Sequence, residues 1–431
     1  MKTKLNLAVA SALLAVASSA NAGILIPAGD WTIDIGGNVN TYYNYTSCDD
    51  NAGPAIAGAL ACNITPTPGS DENISSVRTG LLPAFLNVSG KTRQNDLDIG
   101  FTIGIHPGTA TGGALRTTDQ ENRQTFLTFG DKSWGTIKLG RDISLYGSDA
   151  IFNDITILGT GSSFAGANYR AGAAQGGGTG GVLGNPTSGT SLGRIGIGYL
   201  YPDWVAQVSY ASPNWNGFSF GVGVIEPYQA LGAGFPDLNG NGAQYDYSQP
   251  GFQGKATYEW AGDVGGKVWS SFWTQKVDGL QTAAGGGVVT DDYRATIWDI
   301  GTKITLGDFD FVATYYNGDG AGTTGFLLQG VDANGNKRDS DGGYVQLGYK
   351  IPGIGTKVVA SYGESNLDDN AIDAGTNLVS KNSSWVFGAY HPLTKSLTLV
   401  AEYTNTESET DTGAARDIEE SNISLGAILF F

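Results

Sequence analysis

Histidine, cysteine and methionine are almost missing from this 431-residue chain, which has 2 His, 2 Cys and 1 Met. His106 and His391 each directly precede a proline, and nothing announces a serine or aspartate nucleophile beside either of them. Catalysis is therefore poorly supported, and the chain is read as a non-enzyme. Basic residues are scarce too, with 24 Lys and Arg against 41 Asp and Glu and a net charge of −17. That balance argues against nucleic acid as a partner, since phosphate binding rests on Lys and Arg. Beyond residue 22 no apolar run is long enough for a membrane-spanning helix. No segment with helical periodicity stands out either.

What is present begins with an export signal. Lys2 and Lys4 precede an apolar run from Leu5 to Ala17, and Ala20-Asn21-Ala22 forms a small-residue cleavage site. The run is too short to anchor the chain in a membrane. Residues 1–22 are thus expected to be a signal peptide, and residues 23–431 a single mature domain beginning at Gly23. Losing Lys2 and Lys4 takes the net charge to about −19.

The mature sequence alternates. Leu97, Ile99, Phe101, Ile103 and Ile105 share one face of a stretch whose other face carries Asp98, Gly100, Thr102 and Gly104. Segments 31–45, 82–91, 309–316, 344–351, 357–362 and 397–403 behave similarly. Each approaches the ~10 residues that a tilted strand needs to cross a bilayer. The chain also stops on such a segment. Reading back from Phe431, Leu429, Ala427, Leu425 and Ile423 are apolar at every second position. A soluble domain tends to end in polar, frayed residues. Short connections such as 92–94, 130–134 and 307–308 alternate with long ones such as 145–192, 226–250 and 319–337. A meander with tight turns at one end and long loops at the other is the pattern of an all-β transmembrane antiparallel β-barrel. Fitting it yields about 16 strands, with segment 193–202 assigned to the returning limb of the longest loop or to an extension of the next strand, to keep the count even. The 66 glycines suit turns and close packing, and the 9 Trp and 20 Tyr suit membrane interfaces. Trp31, Trp260, Trp269, Trp273, Trp298 and Trp385 are mostly read as such girdle residues. Cys48 and Cys62 fall in one expected external loop with no competing thiol, so a disulfide between them is expected.

Several motifs occur in the order and spacing of a known family. Trp134-Gly135-Thr136-Ile137-Lys138-Leu139-Gly140-Arg141 leads into the longest loop. Ser76-Val77-Arg78-Thr79-Gly80 and Arg123 precede it, and Tyr210-Ala211-Ser212-Pro213-Asn214-Trp215-Asn216-Gly217-Phe218 follows it. With the aromatic C-terminus at Phe431, the chain resembles the general porins of Gram-negative bacteria over nearly all its mature length. The resemblance implies an outer-membrane channel for passive diffusion of small hydrophilic solutes and ions, built as a homotrimer. It implies a third loop folded into the barrel, with Arg78, Arg123, Arg141 and Arg194 as wall arginines facing Asp149 and Asp154. The family's tip sequence is replaced here by Ile157-Leu158-Gly159-Thr160-Gly161, and strand parity puts Arg141 on the lipid side unless Gly140 redirects it. It also implies that the ending Ile423, Leu425, Leu429 and Phe431 is read by the barrel-assembly machinery. Outer-membrane lipid and lipopolysaccharide are the surroundings that such a barrel meets.

The acidic balance points to a cation-preferring pore, or to a solvated acidic exterior. A substrate-specific channel, for sugars or another small solute, is the main alternative. A fatty-acid transporter would begin with a plug, whereas strand-like residues start here by Trp31; a structural or adhesive barrel would conduct little. Asp237, Asn239 and Asn241 have the spacing of a calcium loop, echoed by Asp332, Asn334, Asn336 and Asp339. The first set has Ser248 where a Glu is needed, so turns are the preferred reading and no cofactor is expected.

Overall fold

The computed structural model describes residues 23–49, 56–62, 73–107, 120–162, 191–228, 244–246, 248–280, 292–325, 327–332 and 334–431. Residues 1–22, expected to be a signal peptide, and Asp237, Asn239 and Asn241 of the expected turn or calcium loop lie outside them. The strands, in order, are β1 (Ile24–Ala28), β2 (Trp31–Cys48), β3 (Asn73–Arg78), β4 (Phe85–Gln94), β5 (Leu97–Pro107), β6 (Gln120–Asp131) and β7 (Gly135–Ile143). A short helix, α1 (Ser148–Asn153), follows within the third loop. Then come β8 (Trp204–Ala211), β9 (Phe218–Ile225), β10 (Gln244–Asp246), β11 (Gly251–Trp260), β12 (Val264–Leu280) and β13 (Tyr293–Leu306). The last are β14 (Phe309–Asp319), β15 (Asp339–Lys350), β16 (Lys357–Leu367), β17 (Val379–Pro392), β18 (Leu397–Thr410) and β19 (Ile418–Phe430).

These segments make a closed antiparallel barrel of 16 strands. Three of its walls are composite. Segments β3 and β4 run in line along β2, as do β10 and β11 along β12. The third composite closes the barrel from the two ends of the chain. Strand β19 pairs with β2 as far as Phe430 opposite Asn38, and β1 continues the same edge from Ile24 opposite Ile35. Gly37 and Phe431 exchange backbone hydrogen bonds at 3.0 and 3.1 Å across this seam. Gly37 is needed there, because a Cβ would lie 2.1 Å from the carbonyl oxygen of Phe85 on the neighbouring strand. Closure leaves no unpaired edge.

Alternation decides which residues meet lipid. Leu425 and Ile423 are 55% and 50% exposed on the outer face, whereas their neighbours Ser424 and Asn422 are fully buried inside. An apolar outer surface on this scale is an aggregation hazard in water and is satisfied by a bilayer. No helix of the described residues is long and apolar enough to cross a membrane; the strands do so. Parity also sorts the tryptophans. Trp298 and Trp385 face outward, but Trp269 and Trp273 are buried on the inner face and are not girdle residues. Several strands extend beyond the read stretches: β18 reaches Thr410 and β16 reaches Leu367.

Candidate functional site: the loop-filled lumen

The inner face is rich in amides. Asn38, Asn40, Asn44, Gln207, Gln253, Gln275, Gln346 and Asn382 are all buried there. A buried amide is stable only when its donors and acceptors are paired, and for Asn38, Asn40, Gln253, Gln275, Gln346 and Asn382 the partners include the backbones of loops that turn inward.

The third loop, between β7 and β8, pairs with Gln253 and Gln346 and with further inward-facing side chains. Its outgoing limb starts against β11 and β12, where Gln253 Oε1 accepts the N–H of Leu145 and the hydroxyl of Ser144, both at 2.7 Å. The N–H of Gly147 donates to Ser271 at 3.1 Å. Helix α1 then passes β15: Tyr344 donates to the Ala150 carbonyl at 2.5 Å, and Gln346 accepts from the N–H of Ile155 at 2.7 Å. At the tip, Glu402 Oε2 accepts the N–H groups of Thr160 and Gly161 at 2.7 and 3.0 Å, while Tyr390 donates to its other oxygen. Tyr42 donates to the Leu158 carbonyl. The opposite side of the tip meets residues 79–84, where the wall turns inward between β3 and β4. There the N–H of Leu81 donates to the Gly159 carbonyl at 3.0 Å. Asn40 and Asn38 hold this excursion by donating to the Leu82 and Pro83 carbonyls at 2.8 and 3.0 Å. The return limb, including residues 193–202, is not a wall strand. It packs inside, with Ile197 fully buried.

The acids and arginines expected at the constriction are distributed unevenly. Asp149, on α1, sits between Lys255 at 3.0 Å and Lys267 at 2.5 Å. Burial alone would raise its pKa, but the two ammonium groups outweigh it and hold the carboxyl at about 2. Arg78 is buried on the inner face, opposite Tyr42 in register. It is the last residue of β3, and the chain leaves the wall directly after it. Arg194 is 0% exposed and donates to the Ser384 carbonyl at 2.7 Å and to Ser361 at 2.6 Å. Burial lowers its pKa, opposed chiefly by Asp154. Asp154 is equally enclosed and accepts from Thr156 and Gln346. Both residues therefore lie in the seam between loop and wall instead of facing each other across open water.

Arg141 departs from the expectation outright. It is exposed on the outer face, between Thr125 and Ala206 in register, and its Nε donates to the Trp204 carbonyl at 3.1 Å. Gly140 has a φ of +128° yet does not redirect it, since pairing with β6 and β8 continues through both residues. Arg123 is half-buried at the irregular β5–β6 register, two residues before the outward-facing Thr125.

The wall cations that the motifs missed are lysines. Lys138, Lys255, Lys267, Lys303 and Lys357 lie on the inner faces of β7, β11, β12, β13 and β16. Lys138 pairs with Asp142, and Lys357 with Asp310. Lys303 lies opposite Lys267 in register and forms no ion pair among the described residues. Parity was the available signal: each of these lysines shares a face with the buried polar residues of its strand.

His106 packs between Phe85 and Trp204, with ring centroids 5.8 Å from each, and His391 meets Thr356 at 2.9 Å. Asp332 accepts from the N–H groups of Asn334 and Asn336 at 2.8 and 2.9 Å, which is the turn reading. No group of three His, Cys, Asp or Glu suited to a metal occurs among the described residues. Cys48 and Cys62 form the expected disulfide.

A closed barrel with an apolar outside, a polar inside and an inserted third loop is the architecture of an outer-membrane pore. The sequence matches the family model of the Gram-negative porins over residues 8–411, and the chain belongs to that family. Among solved structures it is similar to the outer-membrane channel DcaP of Acinetobacter baumannii, with 17% identity, a TM-score of 0.64, and coverage of 95% of this chain and 100% of that one. OmpF of Salmonella typhi, in its complex with daunomycin, matches at 13% identity and a TM-score of 0.57, covering 95% and 100% of the two chains. OmpT, an outer-membrane protein of Vibrio cholerae, matches at 14% identity and a TM-score of 0.52, with the same coverage of 95% and 100%. No curated protein matches the chain in a sequence search. The protein is an outer-membrane channel for passive diffusion.

Proposed function

We propose that this porin passes small hydrophilic solutes and ions with a preference for cations. The observation that carries the solute class is the inner wall, whose buried polar residues surround the inserted third loop; such a lining suits hydrated solutes sorted by size and charge. The cation preference rests on charge balance. Most inward lysines are matched by Asp142, Asp149 and Asp310, while the chain as a whole carries 41 acids against 24 bases. The acidic surplus then sits toward the mouths and loops, where it concentrates cations. No cofactor or energy source enters this reading, and neither does a catalytic residue or a cation held by Asp237, Asn239 and Asn241. Family membership supports a homotrimer in lipid and lipopolysaccharide, inserted by an assembly machinery that reads the ending at Phe431.

Conductance in a planar bilayer tests the proposal. Ohmic current and a salt-gradient reversal potential of cationic sign are expected. Anion preference would overturn the charge argument, and current blocked by one particular solute would replace the general channel with a substrate-specific one. Cross-linking of the purified protein should stop at three chains.

A further inference from the structure

The third loop is not alone in the lumen. Residues Ile56–Cys62, between β2 and β3, also turn inward, and every one except Gly58 is buried. Ala57 forms a short parallel bridge with Leu378. Its N–H donates to the Asn377 carbonyl at 2.8 Å, and its carbonyl accepts the Val379 N–H at 2.9 Å. The N–H of Leu60 donates to Asn382 at 3.1 Å and to Ser408 at 3.0 Å, and the N–H of Cys62 to Glu420 at 3.0 Å. Asn382 returns a hydrogen bond to the Gly58 carbonyl at 3.1 Å. Asn382, Ser408 and Glu420 are buried inward-facing side chains on β17, β18 and β19. The disulfide then ties Cys62 to Cys48 on β2, the next strand round the barrel.

Four consecutive wall strands thus hold one short segment. Polar side chains that would otherwise line a wet lumen are used to pair its backbone, which leaves the segment no unpaired route outward at small cost. The segment also reaches the third loop: a Cβ on Gly196 would lie 2.8 Å from Leu60 Cδ1. The two insertions are stacked in series, the disulfide-bound one nearer the extracellular end of β2.

We propose that Ile56–Cys62 is a second constriction, pinned by the Cys48–Cys62 disulfide, and that it sets the upper size limit for solutes. The proposal rests on the channel reading above and adds a specificity element to it. The disulfide keeps the segment at its docking site by holding its effective concentration high even when the hydrogen bonds open. A dithiol would reduce the bond to two thiols, taking two protons to the cysteines and becoming a cyclic disulfide itself.

The experiment is liposome swelling with neutral sugars of increasing size, paired with single-channel recording. It uses the wild type, a deletion of Ala57–Ala61 in a Cys48→Ser, Cys62→Ser background, the two serine substitutions alone, and an Asn382→Ala, Ser408→Ala pair of full length. Heat-modifiable gel mobility checks that each barrel is folded. Sugars excluded by the wild type should enter through the deletion variant and, more slowly, through the Asn382 and Ser408 variant. The serine variant, and wild type treated with a dithiol, should step between two current levels. An unchanged exclusion limit in both the deletion and the Asn382 and Ser408 variants overturns the constriction. A single steady level in the serine variant overturns the pinning role. A wild type that passes no sugar refutes the channel reading itself, and the proposal falls with it.

Discussion

Replacing Glu402 with alanine should release the tip of the third loop while leaving the barrel intact. Glu402 is 3% exposed, and one of its oxygens accepts both the Thr160 and Gly161 N–H groups, at 2.7 and 3.0 Å. Alanine would strand both donors in the interior. A buried donor without a partner costs roughly 1–3 kcal/mol, so the docked tip loses about 4 kcal/mol. At about 1.4 kcal/mol per tenfold change, the detached population rises by roughly three orders of magnitude. The rest of the loop stays fixed by Gln253, Gln346 and Arg194, so the change is confined to the tip near residues 158–161. In single-channel recordings, Glu402→Ala should show excess open-channel noise and a higher mean conductance. Glu402→Gln keeps an acceptor oxygen in place and should fall between it and the wild type. Thermal denaturation should hardly move, since the β17–β18 and β18–β19 ladders are untouched. A Glu402→Ala channel with wild-type noise and conductance would refute the idea that this carboxylate fastens the loop.

Acid should loosen α1. The carboxyl of Asp149 has its pKa depressed to about 2 by Lys255 and Lys267, so its contribution is complete above the ordinary carboxylate pKa of about 4 and is lost as pH falls from there through about 2. Conductance recorded across that window should become noisier, and Asp149→Asn should show the same noise already at neutral pH. Deleting Phe431 removes the residue that exchanges two hydrogen bonds with Gly37 at the closing seam. It should lower the amount of barrel inserted into membranes without altering the selectivity of the fraction that inserts; normal insertion would count against the assembly role. Lys303→Met removes the inward lysine that lacks an ion pair among the described residues, and should move the reversal potential further toward cations. Arg141→Ala, on the outer face, should leave that potential where it was.

The barrel was legible because lipid imposes a simple rule on a strand. One face must be apolar and the next wet, so the period of two in Leu97–Ile105 and Ile423–Phe431 reports the fold directly. Short and long connections reported the meander, and an even strand count kept 193–202 from being a separate wall strand, but only the structure placed it as the return limb inside the barrel. The inserted third loop came from family motifs, and those motifs were less informative about its side chains. Glycine at 140 invited the idea that Arg141 turns inward, but the ladder to β6 and β8 keeps strand parity and holds it outside.

By itself, then, the sequence determined the compartment, the strand alternation, including that of its last residues, and the Cys48–Cys62 link. These follow from local period, end chemistry and short chain separation. Only the tertiary structure decided what fills the lumen. Whether Arg194 lines water or lies in a seam depends on Ser361 and Ser384, 167 and 190 residues away. Whether Ile56–Cys62 points out or in depends on Asn382, Ser408 and Glu420, more than 300 residues later. Such contacts join strands that are neighbours only after the barrel closes, and no periodicity along the chain encodes which inward side chain a loop will find there.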